Sequence, residues 1–180
     1  ALEHHIDGLE DLADAAHGAG MLLHVDGARI ANALVATGTD LPTLIRDTGV
    51  DVITVGLTKD GAMYGETVVF LRPELAERAR FVRKQAGQLP SKARFVAAQV
   101  LALLDDDLWL RNAAHANAMA RDLAAATAGI PGVALTGPPE VNSVFARVPA
   151  SAIEPLQAWS FFWDWDLTDS LVRWMTSFTT

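Results

Sequence analysis

Two stretches decide how the chain folds: MLLHVDGARIANA, residues 21–33, and DVITVGLTKDGAMYGE, residues 51–66. The first begins as a short apolar run over residues 21–25 that ends at Asp26; Gly27 turns the chain, and residues 28–36 carry a helical pattern. The second begins with a β-branched run over residues 52–55, and a third such run over 67–71 is closed by Arg72-Pro73. Ahead of them Leu9, Leu12, Ala15 and Ala16 mark a helix stopped by HGAG at residues 17–20. Asp40 stands where the N-cap of a helix over residues 41–48 belongs. Short, nearly continuous apolar strands separated by helices predict an α/β fold with a mostly parallel sheet covered by helices on both faces.

From Pro73 the pattern changes. Residues 74–85 are helical and basic at their end, with Arg78, Arg80, Arg83 and Lys84, and Gly87 breaks them. Pro90-Ser91 introduces a helix over 92–104; Asp105-Asp106-Asp107 precedes a long helix to about Thr127, ended by Gly129 and Pro131-Gly132. Apolar runs at 133–135, 144–148 and 171–176, with a helix near 151–160, read as a smaller α+β domain. The expected division is therefore 1–90 for the sheet-bearing part and 91–180 for the connecting helices and the small C-terminal domain.

Of the 180 residues 51% are hydrophobic, enough for a sizeable core. A formal charge of −8 argues against a nucleic-acid surface, which needs a basic patch. The chain has no cysteine, so no disulfide framework and no thiolate nucleophile or metal ligand. Nothing resembles a signal peptide, and no apolar run approaches the roughly 20 residues that span a bilayer. A cytoplasmic protein is the expectation. A helical pattern is under way within a few residues of Ala1 with no strand before it, as it would be in a fragment.

Chemistry points first to Lys59. Open parallel sheets bind ligands at the carboxyl ends of their strands, where Lys59 sits. Gly56, Gly61 and Gly65 around it allow close approach of a flat ligand. Most of the flanking sequence is uncharged, so a buried amine there could act as a nucleophile. Asp26 follows an apolar strand, where a carboxylate is buried unless paired; it is a helix cap, a partner of Arg29, or a group facing a pyridine nitrogen. Arg29, three residues on, would share its face one helical turn away. His24 alternates with Asp26 on the strand: it lies under a cofactor, braces Asp26, or is a satisfied core histidine. Arg173 sits in LVRWMTSF, residues 171–178, where it must bind an anion such as a substrate carboxylate or pair with Asp164 or Asp166. His4, His5, His17 and His115 have no partners at metal-ligand spacing, so no metal is expected. Trp159, Phe161, Phe162, Trp163 and Trp165 read as small-domain core. A Schiff-base lysine after one strand and a carboxylate after another are what a pyridoxal phosphate enzyme needs.

The residues that carry these readings also carry a resemblance. HVDGARIANA, GLTKDGAMYGETVVF and VRWMTSF, in order and at matching spacing, resemble the threonine aldolase and β-eliminating lyase group of fold type I pyridoxal phosphate enzymes, and SKARFVAAQVLALL resembles the helix leading into that group's small domain. The resemblance implies that Lys59 carries pyridoxal 5'-phosphate, that Asp26 faces its pyridine nitrogen, that Arg29 and His24 lie by the cofactor, and that Arg173, with Arg29, holds the substrate carboxylate. It implies cleavage of a β-hydroxy-α-amino acid, threonine or allo-threonine, to glycine and an aldehyde. Homodimers or homotetramers are implied too, with the basic helix of Arg78 and Lys84 directed at a neighbour's cofactor phosphate. Group members are roughly twice as long as this chain, and their phosphate site would lie before Ala1. The alternatives are β-elimination or transamination on the same cofactor, an inactive fragment, and an acidic binding module.

Overall fold

The structure is a computed structural model, and it describes residues 6–180. His4 and His5, weighed above as metal ligands, lie outside the described residues. The chain divides into two compact units, one ending at Leu110 and the other spanning Arg111–Thr180.

The first unit is built on a three-stranded sheet in the order β1 (His24–Gly27), β2 (Val52–Gly56), β3 (Glu66–Phe70). Helix α1 (Ile6–Gly18) precedes β1, while α2 (Ile30–Thr37) and α3 (Leu41–Ile45) make the connection from β1 to β2. That connection is long enough for a crossover, and β1 and β2 pair parallel. Residues 57–65 are too few for one, so β3 folds back antiparallel to β2. The α/β class holds, with a mixed sheet where the apolar runs alone suggested a mostly parallel one.

β2 is the central strand, and its Ile53 and Val55 are buried with Ile30, Ala31 and Leu34 of α2. Helix α2 ends at Gly38, in the left-handed region at φ 66°, whose N–H donates to the Leu34 carbonyl. Asp40 caps α3 as expected, its Oδ1 accepting the Thr43 N–H at 2.8 Å. That helix stops at Ile45 instead of Thr48, because the chain turns through Gly49 at φ 81°. β1 starts later than its apolar run. Pairing begins where Asp51 N–H donates to the Leu23 carbonyl, and Met21 and Leu22 stay exposed. At Gly27 a Cβ would stand 2.5 Å from the Thr54 carbonyl oxygen, so any side chain would push β1 off β2.

The helix expected over 74–85 is two short ones, α4 (Pro73–Ala76) and α5 (Ala79–Gln85), neither with a buried residue to hold it straight. Two further helices follow, α6 (Ala93–Leu104) and α7 (Leu108–Thr127). The turn between them puts Asp106 and Asp107 at φ 49° and 51°, a conformation Asp tolerates better than most residues.

The second unit takes most of α7 together with β4 (Ala134–Leu135), β5 (Ser143–Arg147), α8 (Ala150–Trp159), β6 (Trp163–Asp166) and β7 (Leu171–Met175). Its sheet has the order β4-β5-β7-β6, antiparallel throughout. One face is core: Val144 meets Ala120 and Ala124 of α7, while Ala146, Val148 and Val172 meet Ile153 of α8. The aromatic cluster is not core. Phe162 packs there, but Trp159, Phe161, Trp163 and Trp165 are exposed, since β6 is an edge strand with every residue outside the core.

Candidate active site

The parallel pairing of β1 and β2 brings the chemistry-bearing residues of the first unit to one end of its sheet. Asp26 stands in register with Thr54, and Lys59 follows three residues after β2 ends. Lys59 is the middle residue of a single 3-10 turn, Thr58–Asp60, closed by Gly61 at φ 121°, where a side chain would be strained. The loop beyond is tied to α6 by the Met63 N–H, which donates to Gln99 Oε1 at 2.8 Å. Its amine is exposed among the described residues, not buried as the uncharged flanks suggested.

Asp26 is exposed as well, contrary to the expectation from its apolar strand: it alternates with the partly buried Val25 and shares the exposed face of β1 with His24. Oδ1 accepts the Ala28 N–H at 3.0 Å, an Asx turn that fixes the carboxylate at the strand-to-helix junction. His24 is exposed rather than a core histidine, its Nε2 hydrogen-bonded to Thr54 Oγ1 of β2 at 2.9 Å. Arg29 holds the N-cap position of α2 with non-helical angles, φ −135° and ψ 32°. It is therefore not one helical turn from Asp26, because residues 26–28 are strand and turn. An exposed amine and an exposed carboxylate thus lie towards the carboxyl end of the parallel pair, with the exposed His24 at the start of β1. That donor set fits an aldehyde cofactor bearing a basic ring nitrogen.

One group the sequence did not single out directly follows Lys59. Asp60 is 1% exposed, and burial pushes its carboxyl up to about 7 against the opposing pull of the Lys59 charge. Neighbouring residues of a 3-10 turn point in different directions, so one is buried and the next solvated.

In the second unit Arg173 lies on the sheet face opposite the core. Neither expected ion pair forms. Asp164 Oδ1 accepts from Gln157 Nε2 at 3.0 Å, and Asp166 Oδ1 accepts from the Thr168 N–H and hydroxyl. Its guanidinium carbon instead lies 4.7 Å from the centroid of the Trp165 ring. Among the described residues no group of three or more His, Asp or Glu is placed to hold a metal, and no helix is long and apolar enough to cross a membrane. His17 is not isolated: it bonds Asp51 at 2.9 Å.

Residues 4–151 match the model of the family described as Beta-eliminating lyase. Low specificity L-threonine aldolase of Pseudomonas aeruginosa is 44% identical over 158 residues, 87% of this chain and 46% of that protein. The enzyme of the same name from a Pseudomonas sp. is 42% identical over the same shares. Among solved structures, the threonine aldolase of Leishmania major superposes with a TM-score of 0.84 at 31% identity, covering 97% of this chain and 52% of that one. The chain spans about half the length of the curated relatives it matches.

Proposed function

Since the chain belongs to the Beta-eliminating lyase family, we propose that the protein is a pyridoxal phosphate-dependent aldolase that cleaves threonine or allo-threonine to glycine and acetaldehyde. The observation that supports the reading is the parallel pairing of β1 with β2, which puts Asp26 in register with Thr54 and Lys59 just past the carboxyl end of β2. The identity to two low specificity L-threonine aldolases supports the substrate class.

When bound, pyridoxal phosphate supplies an aldehyde and an electron-withdrawing ring able to accept the electron pair of the broken Cα–Cβ bond. Lys59 would provide the amine that anchors the aldehyde, and its exposed position leaves that amine accessible to a ligand. Asp26, steadied by the Ala28 N–H, keeps a proton on the ring nitrogen. His24, held to β2 through Thr54, would lie by the cofactor, and Arg29 would contact the cofactor or the substrate. Arg173 holds the substrate carboxylate through its planar fork. We read the protein as cytoplasmic and as a homodimer or homotetramer; the half-exposed Phe81 and Val82 on the basic helix α5 suit a subunit contact.

Borohydride reduction of the cofactor-loaded protein followed by peptide mapping should place the pyridoxyl group on Lys59. Labelling of another lysine sinks the assignment. Product analysis with threonine should give glycine and acetaldehyde; 2-oxobutyrate and ammonia would instead mark elimination.

A further inference from the structure

The pairing of β6 with β7 is regular at Trp163↔Arg173 and Asp164↔Val172, then jumps to Asp166↔Leu171. Trp165 is the residue left over, the extra member of a β-bulge. A bulged residue is released from the ladder and can be aimed where a regular strand would not send it. Here it is aimed at Arg173: the guanidinium carbon lies 4.7 Å from the Trp165 ring centroid. Phe145, in register with Arg173 across β5 and β7, meets the Trp165 ring edge-on at 5.2 Å and 74°. The tryptophan thus packs against one ring and carries a cation over its own.

We propose that Trp165 is a positioning residue that holds the Arg173 guanidinium by its flat face and leaves the in-plane N–H fork for a carboxylate ligand. The proposal rests on the role given to Arg173 above. Stacking and ion pairing differ in what they consume. An acidic partner would occupy the N–H edge that must grip the ligand, whereas an aromatic face takes only the π surface of the guanidinium. The two acids next to Trp165 are engaged elsewhere, Asp164 with Gln157 and Asp166 with Thr168. Arg173 Nε is shielded from solvent and has no hydrogen-bond partner among the described residues. The arginine is therefore fixed without being neutralised.

The test uses the holoenzyme and compares equilibrium binding of glycine with that of glycinamide, which lacks the carboxylate, read through the cofactor absorbance. Trp165→Leu should lower the glycine-over-glycinamide preference by about tenfold, the loss of one partly desolvated cation–π contact. Trp165→Phe, which keeps a ring face, should recover most of it. Trp165→Met fills the volume without a face and takes the place of the leucine variant if that one does not fold. Arg173→Ala separates the two layers of the argument. If it abolishes the preference while the ringless Trp165 variants keep the wild-type value, the positioning role is wrong and the arginine's role stands. If Arg173→Ala itself leaves the preference unchanged, the carboxylate role falls and the inference falls with it.

Discussion

Just before β2 begins, Asp51 is 2% exposed and surrounded by donors; towards and beyond that strand's carboxyl end Asp26, in register with Thr54, and Lys59 stand exposed. At the first end Asp51 Oδ2 accepts from the Leu23 N–H at 2.7 Å and from His17 at 2.9 Å, and Arg72 closes an ion pair on Oδ1. Burial alone would raise this carboxyl, yet the His17 and Leu23 hydrogen bonds and the Arg72 charge hold it below the usual carboxylate range. One buried charge thereby joins the end of α1, the residue before β1 and the second residue after β3. At the other end no described residue forms a salt bridge with Lys59 or Asp26. The same sheet uses charge as fastening at one end and leaves it open to a ligand at the other.

The largest expected effect comes from the open end. Lys59→Ala should remove activity by several orders of magnitude and abolish borohydride labelling, yet leave the melting temperature almost unchanged. An exposed side chain outside the core is worth within about 0.5 kcal/mol of stability. A large loss of stability in that variant would mean that the lysine is a structural residue and that the contrast between the two ends is false.

Asp51→Ala attacks the fastened end and should give the opposite pattern. It leaves the part-buried Leu23 N–H without its acceptor and His17 and Arg72 without their carboxylate, a cost of about 1–3 kcal/mol. Because the folded carboxyl is held low, its contribution is present above pH 4 and is lost as the pH falls through the folded value. Denaturant unfolding of wild type and variant should therefore converge in acid and separate near neutrality. Catalytic turnover per folded molecule should be unaffected.

How far the sequence reveals this depends on distance along the chain. Asp26 and Lys59 are legible because each closes an apolar run, and a strand's end follows from its own composition. The Asp40 cap is legible because the donor it satisfies, Thr43, is three residues away. The His17–Asp51 contact spans 34 residues and belongs to no pattern of spacing, so His17 looks isolated until the sheet is assembled. The partner of Arg173 is hidden for another reason. The aromatic residues around 163–166 read as core, and nothing local announces an edge strand with Trp165 as its bulged residue. The direction of β3 was available from its nine-residue connection, a length that the apolar runs alone do not weigh.

Asp60 sharpens the comparison with the smallest effect, since it is the buried carboxyl at the open end. Its folded pKa is raised to about 7, whereas an unfolded aspartate ionises near 3.8. Between those values the folded state holds the extra proton, so stability declines as the pH rises and the penalty is complete above about 7. This is the reverse of Asp51, whose stabilisation grows as the pH leaves the acid range. Asparagine resembles the protonated carboxyl in shape and stays neutral, so Asp60→Asn should gain on wild type as the pH goes from 5 to 8, by a few degrees in melting temperature. Removing the neighbouring positive charge with Lys59→Ala should push the carboxyl higher still, since that charge is what opposes the burial. A melting-temperature difference that stays flat from pH 5 to 8 would show Asp60 ionised throughout, and this end of the sheet would then hold a buried charge as the other end does.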